Sequence, residues 1–164
     1  MSPSSQSQIK HTADGSFDVY ALDTLRHNGF RITAPRKYIV QLLAQTEVPL
    51  SAYEIRDALQ EDGKKADVVS IYRVLDCLES NHLLHRLMGS GKVVRCQLPS
   101  EAHCTHSGHY HCHHILVCQQ CDKVSEVHCA GVETMIETLE NQTQFEIRHH
   151  ALEFTGVCAT CQNP

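Results

Sequence analysis

The chain has 164 residues, 41% of them apolar, which is enough to bury one core or two small ones. Its formal net charge of −5 does not indicate a polyanion partner, and no apolar run is long enough to span a membrane. The sequence holds 13 His and 9 Cys, and 16 of these 22 residues lie from His103 onward. Because no signal-peptide segment is evident, we expect a cytoplasmic protein, in which cysteines more often bind metal than form disulfides.

Residues 16–98 have the apolar periodicity of four short helices and a hairpin, after a polar segment, residues 1–15, that is expected to be disordered. The helices are predicted to begin after Ser16, Thr33, Ser51 and Asp67 and to end near Asn28, Glu47, Asp62 and Ser80. Two extended runs around Gly89-Ser-Gly91 predict the hairpin. This order is typical of a winged helix-turn-helix, with the fourth helix in the major groove of DNA. A helical domain that binds no nucleic acid is the alternative.

The rest of the chain is predicted to form a linker, residues 99–110, and a small α/β domain, residues 111–164. Strands are expected over 113–118, 123–128 and 144–154, with a helix over 131–139 packed against them. The predicted fold class is therefore α+β, an N-terminal winged helix-turn-helix followed by a small α/β dimerisation domain.

Two Cys-x-x-Cys pairs form the strongest motif. Cys118 and Cys121 make up the first pair, and Cys158 and Cys161 the second. A two-residue spacing lets both thiolates of one turn face one ion, so two such turns supply the four sulfurs of a tetrahedral structural zinc site. Four unrelated thiols are the alternative, and a thioredoxin-like redox pair would need only one such motif.

Strand alternation divides the remaining His and Cys residues into two sets. If residues 109–118 are extended, His109, His111 and His113 share one face, while Cys112 and His114 share the other. The alternation therefore allows two separate metal sites.

On the first face, a metal could also reach His85 and Cys96 of the hairpin and Glu126 of the following strand. Such a site would take ligands from both domains and fix their relative orientation, as a metal sensor requires. Solvated polar histidines are the alternative.

On the second face, Cys112 and His114 could meet Glu133 and His150 in a third site. His103, Cys104 and His106 in the linker are either auxiliary ligands or ordinary polar residues, and Cys77 is expected to be a core thiol. The enzyme alternative lacks support: no His-Glu-x-x-His helix, nucleophile elbow or deaminase-type zinc motif occurs, and four thiolates would close the Cys site to substrate.

The sequence resembles the Fur (ferric uptake regulator) superfamily of bacterial metal-responsive repressors. The motifs that carry this resemblance are Gly29-Phe-Arg-Ile-Thr-Ala-Pro-Arg36, Ser70-Ile-Tyr-Arg-Val-Leu75, the hairpin, the His-rich strand and the two Cys pairs. The resemblance implies a winged helix joined to a dimerisation domain, and a homodimer that binds double-stranded DNA operators. It also implies that Tyr72 and Arg73 touch bases. Ser70 on the same helix is also expected to contact DNA, and Arg36 and Lys37 are the basic residues expected at the DNA backbone or minor groove.

The resemblance is strongest to the zinc uptake regulator (Zur) branch, and it implies His85, Cys96, His111 and Glu126 as the regulatory zinc ligands. The long linker that precedes His111 leaves His113 as an alternative to it. Iron-sensing members usually have a carboxylate where this chain has Cys96, and a thiolate favours zinc over ferrous iron. We therefore expect a zinc-dependent repressor with two or three Zn2+ per chain. The alternatives are a family member sensing iron, manganese, nickel or peroxide, and a metal-storage protein or metal chaperone.

Overall fold

The computed structural model describes residues 16–97, 113–128, 132–147 and 150–163. The predicted disordered segment, the linker, His111 and Cys112 lie outside the described residues. The helices of the described part are α1 (Phe17–His27), α2 (Ala34–Gln45), α3 (Ala52–Glu61), α4 (Val68–Ser80), α5 (Val132–Thr143) and α6 (Ala159–Gln162). Its strands are β1 (Leu84–Arg86), β2 (Val93–Arg95), β3 (His113–Cys118), β4 (Val124–His128) and β5 (Glu153–Gly156).

The first four helices begin and end where local chemistry places them. Ser51 and Glu54 form the predicted capping box of α3, in which each side chain accepts a hydrogen bond from the other residue's backbone N–H. Asp67 caps α4 by accepting the N–H of Ser70 at 2.9 Å. After α1 the chain reverses at Gly29, whose φ of 80° favours glycine.

Apolar residues at helical spacing pack these four helices around one core. Its fully buried members include Leu25 of α1, Ile39 of α2, Ile55 of α3 and Ile71 of α4. Cys77 packs against this core as a half-buried thiol, so the predicted core role is confirmed.

Strands β1 and β2 pair antiparallel, with His85 opposite Val94, and form the predicted hairpin. Leu50, which precedes α3, extends this small sheet: it exchanges two backbone hydrogen bonds with Val93, at 2.8 and 2.9 Å. The hairpin is therefore fixed to the helical core on one side.

The second sheet has the order β4-β3-β5, in which β3 pairs antiparallel with β4 and parallel with β5. The registers place Ile115 beside Glu126 on β4 and beside Glu153 on β5. Since directly paired residues share a face, these three side chains lie on one side of the sheet. That side carries Ile115 and Val124, which form a second buried cluster with Leu87 and Val94 of the hairpin. The sheet therefore packs on the hairpin, which is the wing of the predicted winged helix.

Two elements of this domain differ in extent from the expectation, and a third expectation, on packing, was also wrong. The last strand covers Glu153–Gly156 rather than 144–154, and the helix predicted over 131–139 continues to Thr143. That helix, α5, is not packed closely against the sheet as expected: Met135 is 43% and Leu139 41% exposed, while Val132 and Ile136 are half-buried. The short helix α6 was not predicted. Within the described ranges, no helix has both the length and the apolar character that a membrane span needs.

Candidate metal centres and nucleic-acid face

The two Cys-x-x-Cys pairs come together at the end of the second sheet, as the spacing predicted. We call Cys118, Cys121, Cys158 and Cys161 the knuckle cluster, and their Sγ atoms all lie within 4.8 Å of one another. The Sγ atoms of Cys121 and Cys158 are 3.8 Å apart. Strand β3 ends at Cys118 beside Gly156 of β5, so the parallel pairing of the two strands brings the pairs to one place. This donor set suits a structural zinc ion.

Backbone donors around the knuckle cluster are aimed at sulfur. The N–H of Cys158 donates to the Sγ of Cys118 at 3.3 Å. This bond, followed by N–H donors of Gln120 and Cys121, lowers the pKa of the Cys118 thiol to about 6. The neighbouring sulfurs, first that of Cys158, raise the pKa of the Cys161 thiol to about 12. Four such close thiols cannot all ionise without a bound cation, which is the electrostatic condition that a divalent metal meets.

A second cluster lies at the junction of the hairpin and the second sheet. We call His85 of β1, Cys96 after β2 and Glu126 of β4 the junction site, and their candidate ligand atoms also lie within 4.8 Å of one another. His85 Nε2 is 3.5 Å from Glu126 Oε1, and Cys96 Sγ is 3.6 Å from Glu126 Oε2. The junction site thus combines three of the four predicted regulatory residues. The fourth, His111, lies outside the described residues.

The Glu126 side chain is only 1% exposed, compared with 18% for that of His85. Its Oε1 accepts the backbone N–H of Gln97 at 2.8 Å, a contact that no sequence pattern indicated. A buried carboxylate needs cationic or hydrogen-bonding partners, and a metal ion would be such a partner. An imidazole, a thiol and a carboxylate are ligand types that zinc accepts.

Two residues of the predicted third site lie close to each other. His114 is 3% exposed, and its ring centroid is 5.5 Å from that of His150. Neither ring nitrogen of His114 has a hydrogen-bond partner within the described part of the chain. Burial, and then the proximity of His150, lower the pKa of His114, so its neutral form, the one that binds metal, is favoured. Cys112 and the side chain of Glu133 are outside the described residues.

The outer face of α4 carries the residues predicted to read DNA. Tyr72 is 43% exposed and Arg73 is also exposed. The hydroxyl of Ser70 donates to Asp67 Oδ2 at 2.6 Å, so it takes part in the helix cap. Arg36 lies over the Phe30 ring and donates to the Arg31 carbonyl.

The described part of the chain combines four helices and a hairpin wing with a small sheet domain that carries two clusters of metal-ligand side chains. This combination defines the class of winged-helix, metal-responsive regulators. The model of the ferric uptake regulator family matches residues 27–155. The chain belongs to this family, so the predicted family and fold class are confirmed.

The relatives include proteins with different metals in their names. The zinc uptake regulation protein of Escherichia coli K12 is 30% identical over 131 residues, 80% of this chain and 72% of that protein. The ferric uptake regulation protein of Neisseria meningitidis serogroup B is 32% identical over 140 residues, 84% of this chain and 90% of that protein. A structure described as a zinc uptake regulator complexed with zinc and DNA has a TM-score of 0.75 and 26% identity, covering 93% of this chain and 97% of that one. Overall identity therefore does not select the metal.

Proposed function

We propose that the protein is a zinc-responsive transcriptional repressor, whose zinc-loaded dimer binds A/T-rich dyad operators and represses zinc-uptake genes. One observation carries this proposal: the junction site draws His85 and Cys96 from the wing and Glu126 from the second sheet. Ligand binding there would tie the two domains together, and it would thereby position α4, which is joined to the wing by the Arg86–Glu79 hydrogen bonds. The likeness to a zinc uptake regulator bound to zinc and DNA supports it.

The identity of the metal rests on Cys96. A thiolate is a soft ligand, and at a mixed nitrogen, sulfur and oxygen site it favours zinc over the harder ferrous and manganous ions. A regulator sensing iron, manganese, nickel or peroxide is the second candidate. The 32% identity to a ferric uptake regulation protein supports this candidate. A metal-storage protein would leave the exposed face of α4 without a role.

The roles of the ligand sets follow from where they lie. The knuckle cluster would hold a structural zinc that fixes β5 to β3, whereas the junction site, with His111 as its fourth ligand, would hold the regulatory zinc. When bound there, zinc supplies a divalent charge that offsets the carboxylate and thiolate. His114 and His150, with Cys112 and Glu133, form the candidate third site. A transcription regulator needs no catalytic residue, and we propose none.

Exposed apolar residues on the second domain support a homodimer. Leu116 is 39%, Phe154 50% and Leu139 41% exposed. Leu116 pairs with Phe154 in the sheet, so these two side chains stand next to each other on the side away from the wing. A face of this kind is suited to a second copy of the chain. The dimer would present two copies of α4 to half-sites about one helical turn, ~34 Å, apart or a multiple of it.

A gel shift on an A/T-rich dyad, with and without zinc, tests the proposal. We expect a shift that requires zinc and that appears at a lower free concentration of zinc than of iron, manganese or nickel. In parallel, Arg73→Ala should abolish specific binding while zinc content stays unchanged, because its guanidinium would contact a base edge. Operator affinity equal to that of the wild type in Arg73→Ala would reject the role of α4. A response selective for another metal would favour the second candidate.

A further inference from the structure

Among the described residues, two backbone N–H groups of the wing and the residues after it donate to carboxylates of the second sheet, and only one of these carboxylates belongs to a cluster of metal-ligand residues. The Gln97 N–H donates to Glu126 of the junction site. The Met88 N–H donates to Glu153 Oε2 at 2.7 Å, across 65 positions of sequence. Among the described residues, Glu153 belongs to neither group of candidate metal ligands.

The geometry around Glu153 is suited to holding the wing turn in place. Its other carboxylate oxygen lies 3.7 Å from the position that a Cβ on Gly89 would occupy, so the turn passes directly over this side chain. Glu153 and His85 both line a cavity of about 230 Å3 between the hairpin and β5, so the contact is next to the junction site. Beside it, Leu87 and Val94 of the hairpin are buried against Ile115 and Val124 of the sheet.

The strand that carries Glu153 is itself held by the knuckle cluster. Glu153 is the first residue of β5, which pairs with β3 from Ile115 to Cys118 and leads directly to Cys158. Any ion held by the four cysteines would therefore fix the position of Glu153 beneath the wing.

We propose that Glu153 is a positioning residue that holds the wing against the second sheet before the regulatory metal binds, and so sets the zinc concentration at which the repressor responds. This inference rests on the proposed function. We call the protein docked when the wing is packed against the second sheet. If the metal binds only the docked protein, its apparent dissociation constant equals the intrinsic constant divided by the fraction of molecules that are docked. A hydrogen bond to a charged acceptor across the junction raises that fraction in the absence of zinc at the junction site.

The test compares the wild type with Glu153→Ala, Glu153→Asp and Glu153→Gln. Glu153→Asp keeps the charge, but its side chain is one methylene shorter, so its carboxylate should no longer reach the Met88 N–H. Glu153→Gln keeps an acceptor oxygen at the same reach. Glu137→Ala, which removes an exposed carboxylate on α5, is the matched control. Two quantities are measured: hydrogen exchange of a peptide spanning residues 84–92 after mild chelation that leaves the knuckle metal bound, and the free zinc at half-maximal operator binding.

In the alanine and aspartate variants we expect faster exchange of the wing peptide and a rise in the zinc midpoint on the order of tenfold. Operator affinity at saturating zinc and metal content at the knuckle cluster should match the wild type, which a merely structural defect would not allow. The glutamine variant should stay close to the wild type and Glu137→Ala should equal it. If the alanine variant does not fold, the aspartate variant carries the same test.

Wild-type exchange and a wild-type zinc midpoint in the aspartate variant would overturn the proposal. The exchange measurement needs neither DNA nor regulatory zinc, so it reports on the Glu153 contact alone. If operator binding by the wild type did not depend on zinc, the proposed function would be rejected. The role of Glu153 in holding the wing would still be supported by the hydrogen-exchange result.

Discussion

Arg86 of β1 is joined to Glu79 of α4 by two hydrogen bonds, from Nε at 3.0 Å and from Nη2 at 2.9 Å. The same Nη2 also donates to Asp76 at 3.0 Å. Arg86 directly follows His85 of the junction site, so the strand that carries a candidate metal ligand is tied to the helix that carries Tyr72 and Arg73. Both donors converge on Oε2 of Glu79, and charge-assisted hydrogen bonds of this kind hold two side chains more firmly than a single exposed ion pair.

We therefore expect Arg86→Ala to weaken operator binding several-fold at saturating zinc, with zinc content unchanged. The same change should lower stability by about 1 kcal/mol, because the pair is partly exposed. Fluorescence anisotropy with labelled operator and urea unfolding measure the two effects. Arg86→Lys is the control, and it should restore the stability in part but not the two-donor geometry. Unchanged affinity in Arg86→Ala would show that the link does not orient α4.

Cys158→Ser should remove the structural metal and detach β5 from β3. A structural zinc site contributes metal-binding free energy directly to folding, so loss of one sulfur should unfold the small domain. Metal analysis and circular dichroism would show one metal fewer per chain and a loss of strand signal, and size-exclusion chromatography should show loss of the dimer. Cys77→Ser is the matched cysteine control and should keep both metal and dimer. Retention of the full metal content in Cys158→Ser would contradict the assignment of the knuckle cluster.

Cys96→Ser should abolish metal binding at the junction site and leave metal binding at the knuckle cluster unchanged. The hydroxyl is a poor zinc ligand compared with thiolate, so we expect the regulatory zinc to be lost and zinc-dependent operator binding to fall by at least tenfold. The metal held by the knuckle cluster should stay, as metal analysis after dialysis would show. An unaltered zinc midpoint in a gel shift would exclude Cys96 as a regulatory ligand.

His114→Leu tests the candidate third site. Replacing a buried imidazole by an apolar side chain of similar size should leave the fold intact, since both of its ring nitrogens are without hydrogen-bond partners in the described residues. If the site binds metal, zinc content should fall by one ion per chain. Equal zinc content in the variant and the wild type, with raised thermal stability, would mean that His114 is only a core residue.

We expect the lowered pKa of the Glu54 carboxyl group to make the free energy of unfolding fall in acid. The hydrogen bond from Lys92 at 2.8 Å, and then the backbone N–H of Ser51, lower its pKa from 4.5 to about 2. Because the pKa in the folded state lies below the value of the free group, this contribution is complete above pH 4.5 and is lost as the pH falls toward 2. Thermal unfolding between pH 2 and 6 should show a shallower acid loss in Glu54→Gln than in the wild type. Equal slopes would contradict the assignment.

Much of the fold could be predicted from the sequence because its determinants are local. The caps at Ser51 and Asp67 and the turn at Gly29 fix helix ends within a few residues, and apolar spacing identifies the buried faces. The two Cys pairs were equally clear, since each pair needs only a two-residue turn. The last strand was overestimated because Phe145 and Ile147 continue the alternating pattern of an extended strand, whereas Phe145 is 67% exposed and pairing with β3 begins at Glu153.

The sequence by itself determined most of the elements, the Cys pairs of the knuckle cluster and the ligand types available to a metal. Only the tertiary structure decided which of them meet: Glu126 with Cys96 and His85, Arg86 with Glu79, and Glu153 with the Met88 amide. These contacts depend on strand register and on the packing of the wing against the sheet, which arise from residues far apart in sequence and leave no local pattern. The position of the junction site, rather than the abundance of His and Cys, is what marks a regulator.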